Sequence, residues 1–146
     1  MPPIGFAGDE PDPMAAKHDT LLDLTPIHYR ILAVAWMAIL FAASSQAAVE
    51  APPLFPGIDK LMHMGAYAVL GLLFLFSIRN WRQRLTWKTV ALVTLAVTLY
   101  GITDEFHQSF VPGRHPDLAD VLADALGGFL AVTAVKIRWG VKSGIV

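Results

Sequence analysis

The stretch "EFHQSFVPGRHPDLADVLAD" (105–124) holds Glu105, His107, Gln108, Arg114, Asp117, Asp120 and Asp124. A second polar set, Asp59, Lys60, His63 and Tyr67, lies upstream. These residue types can do defined chemistry. Glu105 or His63 can move a proton as a general acid–base, with Asp120 to orient it. Arg114, with Lys60, suits an anionic group. Asp59, Gln108, Tyr67 and Asp124 complete the ligand-contacting set. His63, Glu105, Asp120 and Asp124 are also hard oxygen and imidazole donors of the kind divalent cations take. No compact motif such as H-E-x-x-H accompanies them, so no residue is assigned to a metal and no cofactor is named.

The elements that position this set are greasy. The 146 residues suggest one domain. Hydrophobic residues make up 55%, charged residues only 16%, and the mean hydropathy is +0.51. A soluble domain carries about 25% charged residues, so the composition points to a membrane protein whose first partner is the lipid bilayer. The net charge of -1 argues against a nucleic-acid partner. With no cysteine, disulfides, thiolate metal sites and thiol nucleophiles are excluded.

Residues 1–25 contain five acidic residues and no apolar core of a secretory signal, and read as a disordered or loosely attached tail. Four apolar runs follow. Thr25 and Pro26 offer a helix start, and Ile31–Val49 gives 19 uncharged residues, enough to span a bilayer. "APPLFPG" breaks the chain, and Leu61–Ile78 forms the second run. The third and fourth runs, Thr89–Thr103 and Val121–Val135, have 15 residues each. Fifteen helical residues reach roughly 22 Å against about 30 Å of hydrocarbon. Both helices must therefore draw in parts of 104–108 and 117–120, and the polar residues become helix ends. The expected architecture is an all-α polytopic membrane protein, a compact bundle of four transmembrane helices over 26–138 (about 28–49, 59–79, 87–108 and 117–138), with 139–146 as a C-terminal tail.

Basic residues set the orientation. Arg79, Arg82, Arg84, Lys88, Lys136, Arg138 and Lys142 gather at one end, and only Lys60 and Arg114 at the other. The positive-inside rule puts both termini in the cytoplasm and the polar stretch outside. Asp59, His63 and Tyr67 share a face at i, i+4, i+8; Glu105 and Gln108 are i, i+3; Asp120 and Asp124 are i, i+4. A charge left facing lipid costs about 2.5–3.5 kcal/mol near the midplane. Convergence on one interior pocket avoids that cost. Counting Asp104, six acids then face two bases at this end.

Structural roles compete for several of these residues. Asp59 has the position of an N-cap, and Asp117, with Asp120 three residues on, resembles a capping arrangement. "VPGR" is a turn signal, and Gly71, Gly127 and Gly128 suit close helix contact. His107 and His115 read as solvated loop residues, Tyr67 as a packing residue. Asp124 lies a full turn inside helix four with no cap to make.

"DKLMHMGAYAVLG" and "EFHQSFVPGRHPDLADVLADALGG", with "SSQ" at 44–46, resemble the VanZ-like family of small bacterial membrane proteins, over roughly Ser44 to Val135. The resemblance implies a four-helix domain in the bacterial cytoplasmic (inner) membrane. It also implies a link to the cell envelope and to glycopeptide antibiotic resistance, since the family's named member is associated with resistance to teicoplanin. Asp59, Lys60, His63, Tyr67, Glu105, Gln108, Arg114 and Asp120 fall on its signature positions. The chain departs at Asp124, where the family commonly has Asn; a carboxylate accepts hydrogen bonds where an amide also donates. The leading expectation is an outward-facing polar site that recognises or modifies an envelope molecule, a lipid head group or a wall precursor. The alternative is a non-enzymatic scaffold whose polar cluster only stabilises the bundle. Transport is weaker, because the four spans show no broken helix and no polar path across the membrane.

Overall fold

The protein, seen as a computed structural model, is described over residues 24–47, 57–78 and 85–142. Most of the expected N-terminal tail, the "APPLFP" break, the basic loop at 79–84 and residues 143–146 lie outside the described residues. Four helices follow in order: α1 (Pro26–Ser44), α2 (Ile58–Ile78), α3 (Trp87–Gln108) and α4 (Leu118–Lys142). All four are long and apolar enough to cross a membrane, and no strand occurs among the described residues.

Local chemistry sets the ends. Pro26 sits at the start of α1, where its missing N–H is no loss. The Thr86 hydroxyl accepts the Thr89 N–H at 3.3 Å and opens α3. Helix α1 stops at Ser44, short of the expected 49, where Ser44 and Ser45 turn their hydroxyls to partners on α3. Helix α2 begins at Ile58, after Gly57 with φ +83°. Asp59 is therefore in the first turn and is not the N-cap. Helix α3 continues through the polar residues 104–108 and reaches 22 residues, roughly 33 Å of rise. The α3–α4 connection contains the turn read from "VPGR": the Arg114 N–H donates to the Val111 carbonyl at 3.1 Å, and Gly113 has φ +76°.

Helix α2 packs most extensively on α4, α3 packs next on α4, and α1 lies on α2 and touches α3 lightly. The bundle is built with its apolar residues turned both ways. Tyr67, Leu70, Leu75, Val90, Val93, Val97 and Val132 form the core. Leu92, Leu95, Leu99, Ile102 and Phe106 make an exposed stripe down α3, and Leu118, Leu122, Leu126 and Phe129 another on α4. In water such stripes would be aggregation surfaces; in lipid they are the solvent-facing side. Along its length, helix α1 is held through peptide carbonyls by three side-chain donors. Trp36 Nε1–H donates to the Ala66 carbonyl (3.0 Å), Tyr100 OH to the Met37 carbonyl (2.6 Å) and Arg30 Nε–H to the Ser77 carbonyl (3.1 Å).

The α2–α4 contact is close because glycines line it. A Cβ on Gly71 would stand 3.0 Å from the Gly128 Cα, and one on Gly127 would collide with the Met64 carbonyl. Main chain cannot yield as a flexible side chain can. Replacing Gly127 with alanine gains about 1 kcal/mol in helix propensity but overpacks the seam at about 1–3 kcal/mol. Gly127→Ala is expected to lower the melting temperature in detergent. Gly65→Ala, with nothing within 4 Å of its Cβ, is expected to hold or raise it. Equal shifts in the two variants would refute the close-contact account.

Candidate functional site

The polar residues of four helices and the α3–α4 loop meet at one end of the bundle, in two adjoining networks. The first surrounds Asp104, which is 5% exposed. Its carboxylate accepts from Ser44 Oγ at 2.6 Å, from Tyr67 OH at 3.2 Å and from Gln108 Nε2 at 3.5 Å. Donors from α1, α2 and α3 thus converge on one acid. The "SSQ" segment latches α1 to its neighbours residue by residue. Ser44 binds Asp104, Ser45 Oγ lies 2.9 Å from His107 Nε2, and the Gln46 carbonyl accepts Arg114 Nε–H at 3.1 Å. A cleft of about 250 Å³ opens here, lined among others by Leu40, Ser44, His63, Tyr67, Asp104 and Arg114. A second concavity of about 440 Å³, near Trp87 and Phe129, is lined by apolar residues and threonines without a charged group.

The second network lies between α2, α3 and α4. Asp124 is fully buried, and its Oδ1 is 3.0 Å from His63 Nδ1. It fits because residue 101 has no side chain: a Cβ on Gly101 would stand 2.5 Å from Asp124 Oδ2. Glu105, 5% exposed, accepts the Asp117 N–H on Oε2 at 2.7 Å. Lys60 Nζ is clamped by Asp59 Oδ2 (2.8 Å), Asp117 Oδ2 (2.7 Å) and Asp120 Oδ1 (2.8 Å). The Asp120 contact is one of charge, without hydrogen-bond alignment. His63 belongs to both networks: it lines the cleft and holds Asp124.

Several expectations are refined by this geometry. The single pocket is two networks joined at His63. Asp59, His63 and Tyr67 do share the cleft-lining face of α2. Glu105 and Gln108 are both buried but serve different networks. The carboxylate that orients His63 is Asp124, not Asp120. Lys60 is consumed by three carboxylates and does not line the cleft beside Arg114, so the two cations form no joint anion cradle. Asp117 does cap α4: its Oδ1 accepts the Ala119 N–H at 2.9 Å. His107 is no loop residue; it lies in the last turn of α3, stacked on Phe41 at 4.1 Å. Sequence reasoning passed over Asp104 as a site residue, Ser44 and Gly101. The i, i+4 spacing of Asp104 and Gln108 was a usable signal for the first. Nothing local marks Gly101, whose role depends on a residue 23 positions away.

An apolar four-helix body with its buried acidic residues gathered at one end defines a multi-pass helical membrane protein. A profile of the VanZ/LLP1 family matches residues 13–139, and the chain belongs to that family. No curated protein and no solved structure matches it.

Asp117 sits outside the membrane-spanning helices. The Lys60 ammonium, helped by the Ala119 N–H, holds its carboxyl below the ordinary value of 3.8. A depressed folded pKa gives stability that is fully present above the unfolded value and is lost as pH falls through the folded one. Asp117→Asn keeps the cap and loses the charge. Its melting temperature is expected to lie slightly below wild type at neutral pH, with the gap closing as the pH drops below 3.8. A gap that is constant across that range would show that the ion pair contributes nothing.

Proposed function

We propose that the protein sits in the bacterial cytoplasmic membrane with both termini inside, and that its polar end faces outward to recognise or modify an envelope molecule. The ligand class is a lipid head group or a wall precursor carrying phosphate or pyrophosphate, and the cellular consequence is a change in glycopeptide susceptibility. The observation that carries this reading is the cleft that joins His63, Asp104 and Arg114 at the polar end. Arg114 is the cation that lines it, and a guanidinium matches phosphate geometry with paired donors. His63, held by Asp124, is the group placed to move a proton. Membership of the VanZ/LLP1 family supports the envelope setting. Orientation rests on the basic residues of the opposite end, where Lys136 lies 4.4 Å over the Trp87 ring.

The scaffold reading draws on a different observation. The Ser44–Asp104–Tyr67 cluster joins three helices by buried hydrogen bonds and would stabilise the bundle even with no ligand.

Expression in a teicoplanin-sensitive host separates the two. Arg114→Ala removes a charged hydrogen-bond donor, about 1.5–3 kcal/mol, or roughly 10- to 100-fold in ligand affinity. Arg114→Ala and Glu105→Gln are both expected to abolish the change in susceptibility while membrane levels stay at wild type. Loss of membrane protein in both variants would favour the scaffold; wild-type susceptibility in both would end the site reading.

A further inference from the structure

We infer that His63, Glu105 and Asp120 form a binding site for one divalent transition-metal ion of the Zn²⁺ or Mn²⁺ class, with Asp124 fixing the histidine from behind. The three residues come from α2, α3 and α4, and one ligand atom of each lies within 4.8 Å of the others. Side-chain rotation closes such donors to the roughly 3.3 Å spacing expected around a tetrahedral ion.

Several independent observations point to a cation. Glu105, Asp120 and Asp124 are each more than nine-tenths buried. Glu105 Oε1 and Asp124 Oδ2 have no hydrogen-bond partner among the described residues. Buried carboxylate oxygens normally find donors, and an uncompensated buried charge is strongly destabilising. The one ammonium nearby cannot balance them, because Lys60 is divided among Asp59, Asp117 and Asp120. A doubly charged ion can.

The supporting contacts are those that metal ligands use. Asp124 accepts from His63 Nδ1, which leaves the Nε2 lone pair free to bind the ion; carboxylate–histidine–metal relays have this form. The Asp117 N–H holds Glu105 by Oε2 and leaves Oε1 available. Lys60 tethers Asp120. One imidazole and two carboxylates favour Zn²⁺ or Mn²⁺ over Mg²⁺ or Ca²⁺, which prefer oxygen alone. Three protein ligands leave a coordination position open, beside the cleft that His63 also lines. With the ion bound, His63 acts as a ligand and not as a proton carrier, while Arg114 keeps its place in the cleft for the anionic group, whichever envelope molecule enters.

Untagged full-length protein in detergent is stripped with chelator, dialysed, and titrated with Zn²⁺ and with Mn²⁺, with bound metal counted by mass spectrometry. One ion per chain is expected, with a rise in melting temperature on loading. Glu105→Gln and His63→Ala are expected to lose at least tenfold in affinity, and Asp124→Asn about 10- to 100-fold. Arg114→Ala is expected to bind the ion as wild type does. Folded wild-type protein that takes up neither ion at micromolar concentrations overturns the proposal, whatever the variants do. So does equal affinity in wild type and Glu105→Gln. Should Arg114→Ala and Glu105→Gln abolish the cellular effect in a chain that binds no ion, the envelope reading stands and the metal site falls.

Discussion

A carboxylate inside a lipid-embedded bundle must be supplied with partners by other helices, and the rest of this structure depends on that constraint. Moving a carboxylate into a low-dielectric interior leaves an effective penalty of several kcal/mol. A hydrogen bond to a charged group returns about 1.5–3 kcal/mol. One donor is therefore not enough, and Asp104 has Ser44, Tyr67 and Gln108 from three helices. Those bonds fix the relative register of α1, α2 and α3 at this end. The same residues supply the polar lining of the cleft, so stability and chemistry are tied together here.

The second network depends on close packing further down the bundle. Gly71 and Gly128 meet almost backbone to backbone, and Gly127 lies against Met64. That approach brings α2 near enough to α4 for His63 to reach Asp124. Gly101 then provides the space into which the Asp124 carboxylate turns. Small residues at helix interfaces are common in membranes because they allow such contact. Here they also determine which acid a histidine can find. The chain carries Asp at 124, and the carboxylate receives the histidine proton that an amide carbonyl would accept less strongly.

Much of the fold was legible because lipid imposes long apolar runs. The runs beginning at Ile31, Leu61, Thr89 and Val121 each became a helix. The shortness of the third and fourth runs correctly drew the polar residues into helix ends. Grouping by helical spacing identified the face shared by Asp59, His63 and Tyr67. It failed for pairs that depend on the rotation of one helix against another. Asp120 and Asp124 share a helix face, yet only Asp124 is hydrogen-bonded to His63. Lys60 looked available for an anion because its three acidic neighbours include two from beyond the next helix. Asp59 read as a cap because helix starts are ambiguous by a residue or two when a glycine precedes them.

The way α1 is fastened has a consequence for how this sequence can drift. Trp36, Tyr100 and Arg30 all donate to peptide carbonyls, at Ala66, Met37 and Ser77. Every amino acid carries that acceptor, so the receiving positions are chemically anonymous. Exchange at Ala66 or Met37 leaves the bond intact as long as the helix persists, whereas exchange of the indole, phenol or guanidinium does not. Over generations the two partners of each fastening should therefore change at unequal rates, the giver held and the taker free.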